Sequence, residues 1–163
     1  TARTLTATQG LANDATERVY ICQDLRGVTT PTVSATGLST SGIAANQMTF
    51  NWTTNGNGSR RIVVARLSAT SAVPPTNGVI YTANTAFGTV CGTCTTGAGN
   101  FVVYNNNTPN TITVTALAAN TDYDYDIYEY NGLGECTNYR TVSATLTNQQ
   151  RFSILCFTNF IEC

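Results

Sequence analysis

The feature that most limits the fold is the run "TDYDYDIYEYNG", residues 121–132, in which Asp122, Asp124 and Asp126 alternate with Tyr123, Tyr125 and Ile127. Alternation at period two belongs to a β-strand, whose successive side chains point to opposite faces. Tyr123, Tyr125 and Ile127 are therefore expected to line a core. Asp122, Asp124 and Asp126 are expected to face water in one row, roughly 6.6 Å apart. A flat row does not converge on calcium, which takes about six to eight oxygens, and no Asp-x-Asp-x-Asp-Gly loop spacing is present. A glycosidase-type carboxylate pair needs one member in an apolar pocket, and nothing nearby supplies it. The run reads as a strand with one dry and one solvated face.

The rest of the chain repeats the theme. "NQMTFNWTT" places Met48, Phe50 and Trp52 on one face and Thr49, Asn51 and Thr53 on the other. "RRIVVARLS", "GVIYTAN", "NFVVYNN", "NTITVTAL" and "YRTVSATLT" supply further β-like runs, separated by turn signals such as "NGNGS", Pro74-Pro75, Asn77-Gly78 and "NNNTPN". A strand or turn at intervals of about 8–12 residues, with no amphipathic helix, predicts an all-β sandwich or barrel. Two further β-like pieces flank this series: "ERVYICQDL" near 17–25 and the apolar tail "RFSILCFTNFIEC".

Composition narrows the function. Only 10% of residues are charged, against roughly a quarter in ordinary soluble domains. All eight cations are arginine, and lysine and histidine are absent, so the usual bases for activating a serine or cysteine nucleophile are missing. Threonine (31) and asparagine (17) dominate, which favours strands and turns. A net charge of −1 with no basic cluster beyond Arg60-Arg61 argues against nucleic acid. No apolar run approaches the roughly 20 residues of a membrane-spanning helix. No cofactor and no metal centre is expected, since zinc sites want two CxxC-like pairs or histidines. A chain opening on Thr1 is expected to be a processed product or a segment of a longer one.

Residues 31–148 resemble a fibronectin type III domain. Trp52 stands where that family places a core tryptophan in its second strand. Leu117, Thr121 and Tyr123 in "LAANTDY" resemble its Leu-x-Pro-x-Thr-x-Tyr corner, with Ala119 in place of the proline. A narrower likeness, to fibronectin-like modules of secreted bacterial surface proteins, rests on the arginine-rich "RRIVVAR", on Pro75, Gly78 and Tyr81, on Val102-Val103-Tyr104 and on the "YEYNG" strand end. The resemblance implies an immunoglobulin-like β-sandwich with Trp52, Leu117, Tyr123 and Tyr125 in its core. It also implies that the Tyr123 hydroxyl turns back to a backbone group near Leu117. Residues 1–30 and 149–163 lie outside it as flanking, possible linking segments.

Six cysteines, Cys22, Cys91, Cys94, Cys136, Cys156 and Cys163, point to an oxidising compartment and to disulfides. "CGTC" lacks the helix N-terminus that thioredoxin-type chemistry needs. Under the fibronectin-like topology the 91–94 loop and the turn holding Cys136 fall at one end of the sandwich, so a bond between them is expected. Closure of Cys91 on Cys94 is the competing pairing. Cys22 with Cys156 is a further candidate, and leftover cysteines could join neighbouring chains. Glycan acceptor sequons stand at Asn51, Asn57 and Asn106, the last two in expected loops.

The expected function is an extracellular structural or adhesive module, a subunit or repeat of a surface filament or multi-module surface protein. Its partners would be copies of itself or adjacent modules, met through the terminal strands, with glycans as further candidates. The alternative is a carbohydrate- or ligand-binding accessory module of a secreted enzyme, for which exposed Tyr128 and Tyr130 would be the candidate platform.

Overall fold

The computed structural model describes residues 27–44 and 46–150. The β-like pieces near 17–25 and 151–161, with Cys22, Cys156 and Cys163, lie outside the described residues. Nine strands follow in order: β1 (Ser39–Ala44), β2 (Gln47–Asn51), β3 (Arg60–Leu67), β4 (Thr95–Gly97), β5 (Asn100–Asn106), β6 (Thr111–Val114), β7 (Asp122–Asn131), β8 (Asn138–Tyr139) and β9 (Ala144–Gln150). One turn of 3₁₀ helix, Gly134–Cys136, precedes β8. Strands β1, β2 and β6 make a small sheet. The larger sheet runs β4-β5-β3-β7, with β8 and β9 both pairing the far side of β7. Every strand pair is antiparallel.

The two sheets meet over the first core. Met48 and Phe50 of β2, Val114 of β6, Val63 and Ala65 of β3 and Tyr123, Tyr125 and Ile127 of β7 all project into it, as their alternation requires. Phe50 stacks on Tyr125 with ring centroids 5.0 Å apart, and Trp52 meets Tyr104 edge-on at 5.2 Å. The Trp52 Nε1–H donates to Asn55 Oδ1, which satisfies the one polar atom the indole carries inward. Trp52, Leu117, Tyr123 and Tyr125 are all buried.

A second core lies on the opposite face of the large sheet. Ile62 and Val64 of β3, Val102 of β5, Tyr128 and Tyr130 of β7 and Tyr139 of β8 pack with Tyr81 and Val79. The last two belong to the long connection from Leu67 to Thr95, which lies across this face. Its fastenings are explicit. Asn105 Nδ2 donates to the Tyr81 carbonyl, the Tyr139 hydroxyl donates to the Val79 carbonyl, and Asn77 Oδ1 accepts from the Tyr139 N–H. "GVIYTAN" therefore forms no strand, contrary to its β-like pattern. Its Tyr81 is drawn into the sheet by side-chain packing while its backbone bonds irregularly, as where Asn84 N–H meets Val102 O. The result is a fibronectin type III/immunoglobulin-like β-sandwich with a third, irregular layer, and β7 is buried on both faces.

Candidate functional site

The chemistry-bearing side chains gather at the two ends of β7. At its start, Arg66 on β3 lies directly across from Asp124. Its Nη1 donates to Asp124 Oδ2 and its Nε to Asp126 Oδ2, each at 2.8 Å. Arg66 Nη1 also donates to the Thr70 carbonyl at 2.7 Å. The remaining carboxylate oxygens are taken as well. Asp124 Oδ1 accepts from the Ser68 hydroxyl and the Asn148 N–H, and Asp126 Oδ1 from the hydroxyls of Ser143 and Thr145. Burial works against the charge on Arg66, but the hydrogen bonds and charges of Asp126 and Asp124 outweigh it, and its pKa is raised.

This corrects the expected row of solvated acids. Asp122 is exposed, but Asp124 and Asp126 are 5% and 1% exposed. The pleat does place them opposite Tyr123 and Tyr125. That face is dry because residues 68–70 fold over it and β9 lines its flank. Tyr128 and Tyr130 continue the same face and are 1% and 5% exposed, so the exposed aromatic platform expected of a sugar-binding module is absent at those positions. Burial pushes the Tyr128 hydroxyl up to about 12, with the Asp126 charge adding to the shift.

At the other end of β7, Glu129 and Arg61 are a directly opposed cross-strand pair. Arg61 Nε donates to Glu129 Oε1 at 3.1 Å, and its Nη1 to the Asn107 carbonyl at 2.7 Å. The Gly56 N–H is a further donor to Oε1. A Cβ on Gly56 would stand 2.2 Å from the Val33 carbonyl oxygen and 2.6 Å from Glu129 Cγ; one on Gly58 would stand 2.8 Å from Glu129 Oε2. The loop 55–59 thus rests directly on the carboxylate, whose Oε2 is buried with no hydrogen-bond partner among the described residues. Sequence reasoning passed over Glu129 because it shares the inward phase of Tyr123, Tyr125 and Ile127. An acid in that phase was itself the available signal for a buried partner.

The corner of the fold is closed by Tyr123, whose hydroxyl accepts the Ala118 N–H at 2.8 Å, one residue past Leu117. Cys91 and Cys94 are bonded to each other. Cys136 is disulfide-bonded too, so the expected link between the 91–94 loop and Cys136 does not form; three residues of separation bring Cys91 and Cys94 to a Cα distance of 5.1 Å, within bonding reach. Among the sequons, Asn51 is the last residue of β2, Asn57 lies in the β2–β3 loop and Asn106 is the last residue of β5 rather than a loop residue. Among the described residues no group of three or more Cys, Asp or Glu side chains gathers as a metal site would require, and no helix is long and apolar enough to cross a membrane.

No protein-family model matches the chain, and no curated protein resembles it in sequence. Solved structures are similar to it in shape, at low sequence identity. A fibronectin type III domain of human collagen XX shares 14% identity at a TM-score of 0.42, over 74% of this chain and 96% of that one. The fourth such domain of a human protein shares 13% at 0.46, over 93% and 96%. A multi-domain segment of titin shares 12% at 0.43, over 74% of this chain and 33% of its own length. Likenesses of this degree carry no argument about partners or activity, so the functional reading rests on the chain's own geometry.

Proposed function

We propose that the chain is an extracellular structural or adhesive module, joined through its terminal segments to copies of itself or to adjacent modules of a longer chain. The observation that carries this is the polarity of the sandwich. The described residues begin beside the end of β7, where Asn131 Nδ2 donates to the Thr29 carbonyl and Thr30 Oγ1 to Asn138 Oδ1. They end beside the start of β7, where Gln150 pairs with Asp122. Nine residue steps along β7, from Asp122 to Asn131, separate the two points, roughly 30 Å. Flanking segments attached at opposite poles would let modules follow one another in line, and head-to-tail contacts that do not close give a filament.

The surface supports the same reading. Among the described residues only Arg60, Asp122, Glu135 and Arg140 bring charge outside; the other charged side chains are buried. Little repulsion then opposes contact between like modules. Val90, Leu133 and Val142 stand exposed on it at 80%, 72% and 60%. The buried Asp124 and Asp126 carboxylates are engaged on every oxygen by ion pairs and hydrogen bonds, and Glu129 is held through Oε1 by Arg61 and Gly56, which supports a scaffold over a catalyst. Disulfide bonding at Cys91, Cys94 and Cys136 supports an oxidising location.

The test is light scattering and electron microscopy of the unreduced full chain over a range of concentrations. Linear oligomers are expected. A compact monomer at every concentration would refute linkage through the termini.

A further inference from the structure

We propose that Asn106 is the N-glycan acceptor of this chain, among the three sequons. A glycan replaces one hydrogen of the asparagine Nδ2, and the planar secondary amide that results carries the sugar on the Oδ1 side. The three sites differ in whether that hydrogen is already in use.

Asn51 lies between β1 and β6, at the centre of the small sheet. Its Nδ2 donates to Ser41 Oγ at 2.9 Å and to the Thr49 carbonyl at 3.4 Å, and its Oδ1 accepts from Thr111 Oγ1 at 2.8 Å. Both amide hydrogens serve the sheet, and a sugar would break one of these bonds. Asn57 is exposed, but its amide grips residues 32–33. Oδ1 accepts the N–H groups of Thr32 and Val33 at 2.9 Å, and Nδ2 donates to Thr32 Oγ1 at 3.0 Å. Oδ1 and Nδ2 both address Thr32, so the hydrogen donated is the one on the Oδ1 side, the position a sugar would take.

Asn106 has neither restraint. It is exposed, its Oδ1 accepts only the neighbouring Asn107 N–H at 2.9 Å, and its Nδ2 donates to nothing among the described residues. Thr108, the second member of the sequon, is exposed with its hydroxyl unengaged among them. The turn beneath is held from the core side: the Tyr104 hydroxyl donates to the Pro109 carbonyl, Arg61 Nη1 to the Asn107 carbonyl and the Trp52 N–H to the Asn110 carbonyl. Asn106 and Thr108 therefore stand on a fixed turn with their reactive atoms outward. The donor would be a polyprenyl diphosphate-linked oligosaccharide. Asn106 Nδ2 bonds to the sugar's anomeric carbon, the anomeric C–O bond to the diphosphate breaks, and Nδ2 loses one proton. Such a glycan would project from the pole of the sandwich at which β7 ends.

Peptide mass spectrometry of the protein isolated from its source tests the assignment, with and without amidase release in heavy-oxygen water to mark each formerly glycosylated asparagine as aspartate. The mark is expected on Asn106 and absent from Asn51 and Asn57. A bare Asn106, or a mark on Asn51 or Asn57 equal to that on Asn106, overturns it. In the glycosylating host, Asn106→Gln and Thr108→Ala are expected to lose the glycan mass while the near-ultraviolet dichroism of the buried aromatics stays unchanged, and Thr108→Ser to keep it. Loss in Thr108→Ser, or retention in Asn106→Gln, likewise overturns it.

Discussion

Replacing Arg66 by methionine is the most direct probe of the buried charges. The substitution keeps most of the side-chain volume and removes the only cation touching Asp124 and Asp126 among the described residues. Both carboxylates are almost fully buried, and stripping one partner from a buried ion pair costs about 3–5 kcal/mol because a charge is left without its counterion. Here two carboxylates are stranded, which argues for the upper part of that range. The four hydrogen bonds from Ser68, Asn148, Ser143 and Thr145 remain and hold the loss within it. Set against a typical total of roughly 5–15 kcal/mol, Arg66→Met should remove a large share of the stability. Urea unfolding followed by Trp52 fluorescence measures it. The triple variant Arg66→Met, Asp124→Asn, Asp126→Asn removes every charge together and should recover to within about 2 kcal/mol of the parent. A loss below about 1 kcal/mol in the single variant would be the behaviour of a surface pair. The two acids would then be hydrated, and the burial argument would be wrong.

Three further outcomes follow from the same geometry. Tyr123→Phe leaves the Ala118 N–H without its acceptor and should cost about 1–3 kcal/mol in the same unfolding assay. Gly56→Ala forces a methyl against the Val33 carbonyl and Glu129 and should destabilise by about 1–3 kcal/mol, whereas Gly92→Ala, whose Cβ would meet nothing within 4 Å, should be close to neutral. Burial raises the Tyr128 hydroxyl to about 12 and shifts Tyr125 and Tyr139 in the same direction, mainly through loss of water. A phenol ionises near pH 10 in the unfolded chain. Stability should therefore be intact below about pH 10 and fall as pH rises from there toward 12. Absorbance titration beside urea unfolding at each pH checks this, and free ionisation of every tyrosine in the folded protein would contradict it.

Much of the sandwich was legible in the sequence: β2 and β7 announce themselves by alternation, and β3 and β5 by apolar runs. The Leu117–Tyr123 corner was legible through local spacing. The environment of the β7 acids was not. Alternation fixes the phase of a pleat and is silent about what lies over each face. The cover came from a connection broken by Pro74-Pro75 and Asn77-Gly78, which have no period to read. Strand β4 was missed for a related reason: "TTG" is too short to show a pattern and pairs only because β5 offers its edge. The disulfide partner of Cys91 depended on where a loop folds, and spacing alone left two pairings open.

The positions of the buried charges say what they do for the fold. Arg66 faces Asp124 across β3 and β7, and Arg61 faces Glu129 across the same pair five residues away. The two pairs point to opposite faces of the sheet, since 61 and 66 differ in parity. A slip of one residue between β3 and β7 would carry Asp124 and Asp126 to the face that holds Phe50 and Met48, and would set Glu129 among Val64, Tyr81 and Tyr139. Each stranded carboxylate would meet an apolar core with no cation to hand. The apolar residues alone discriminate poorly, because both faces of this sheet are dry and both rows of β7 carry tyrosines. The ion pairs thus select one register from two that hydrophobic burial leaves close together. Replacing all of Arg61, Glu129, Arg66, Asp124 and Asp126 with neutral residues of similar size should leave a collapsed β protein whose β3–β7 register is mixed. Amide cross-peaks across the two strands would show it, and a single sharp register in that variant would refute the role.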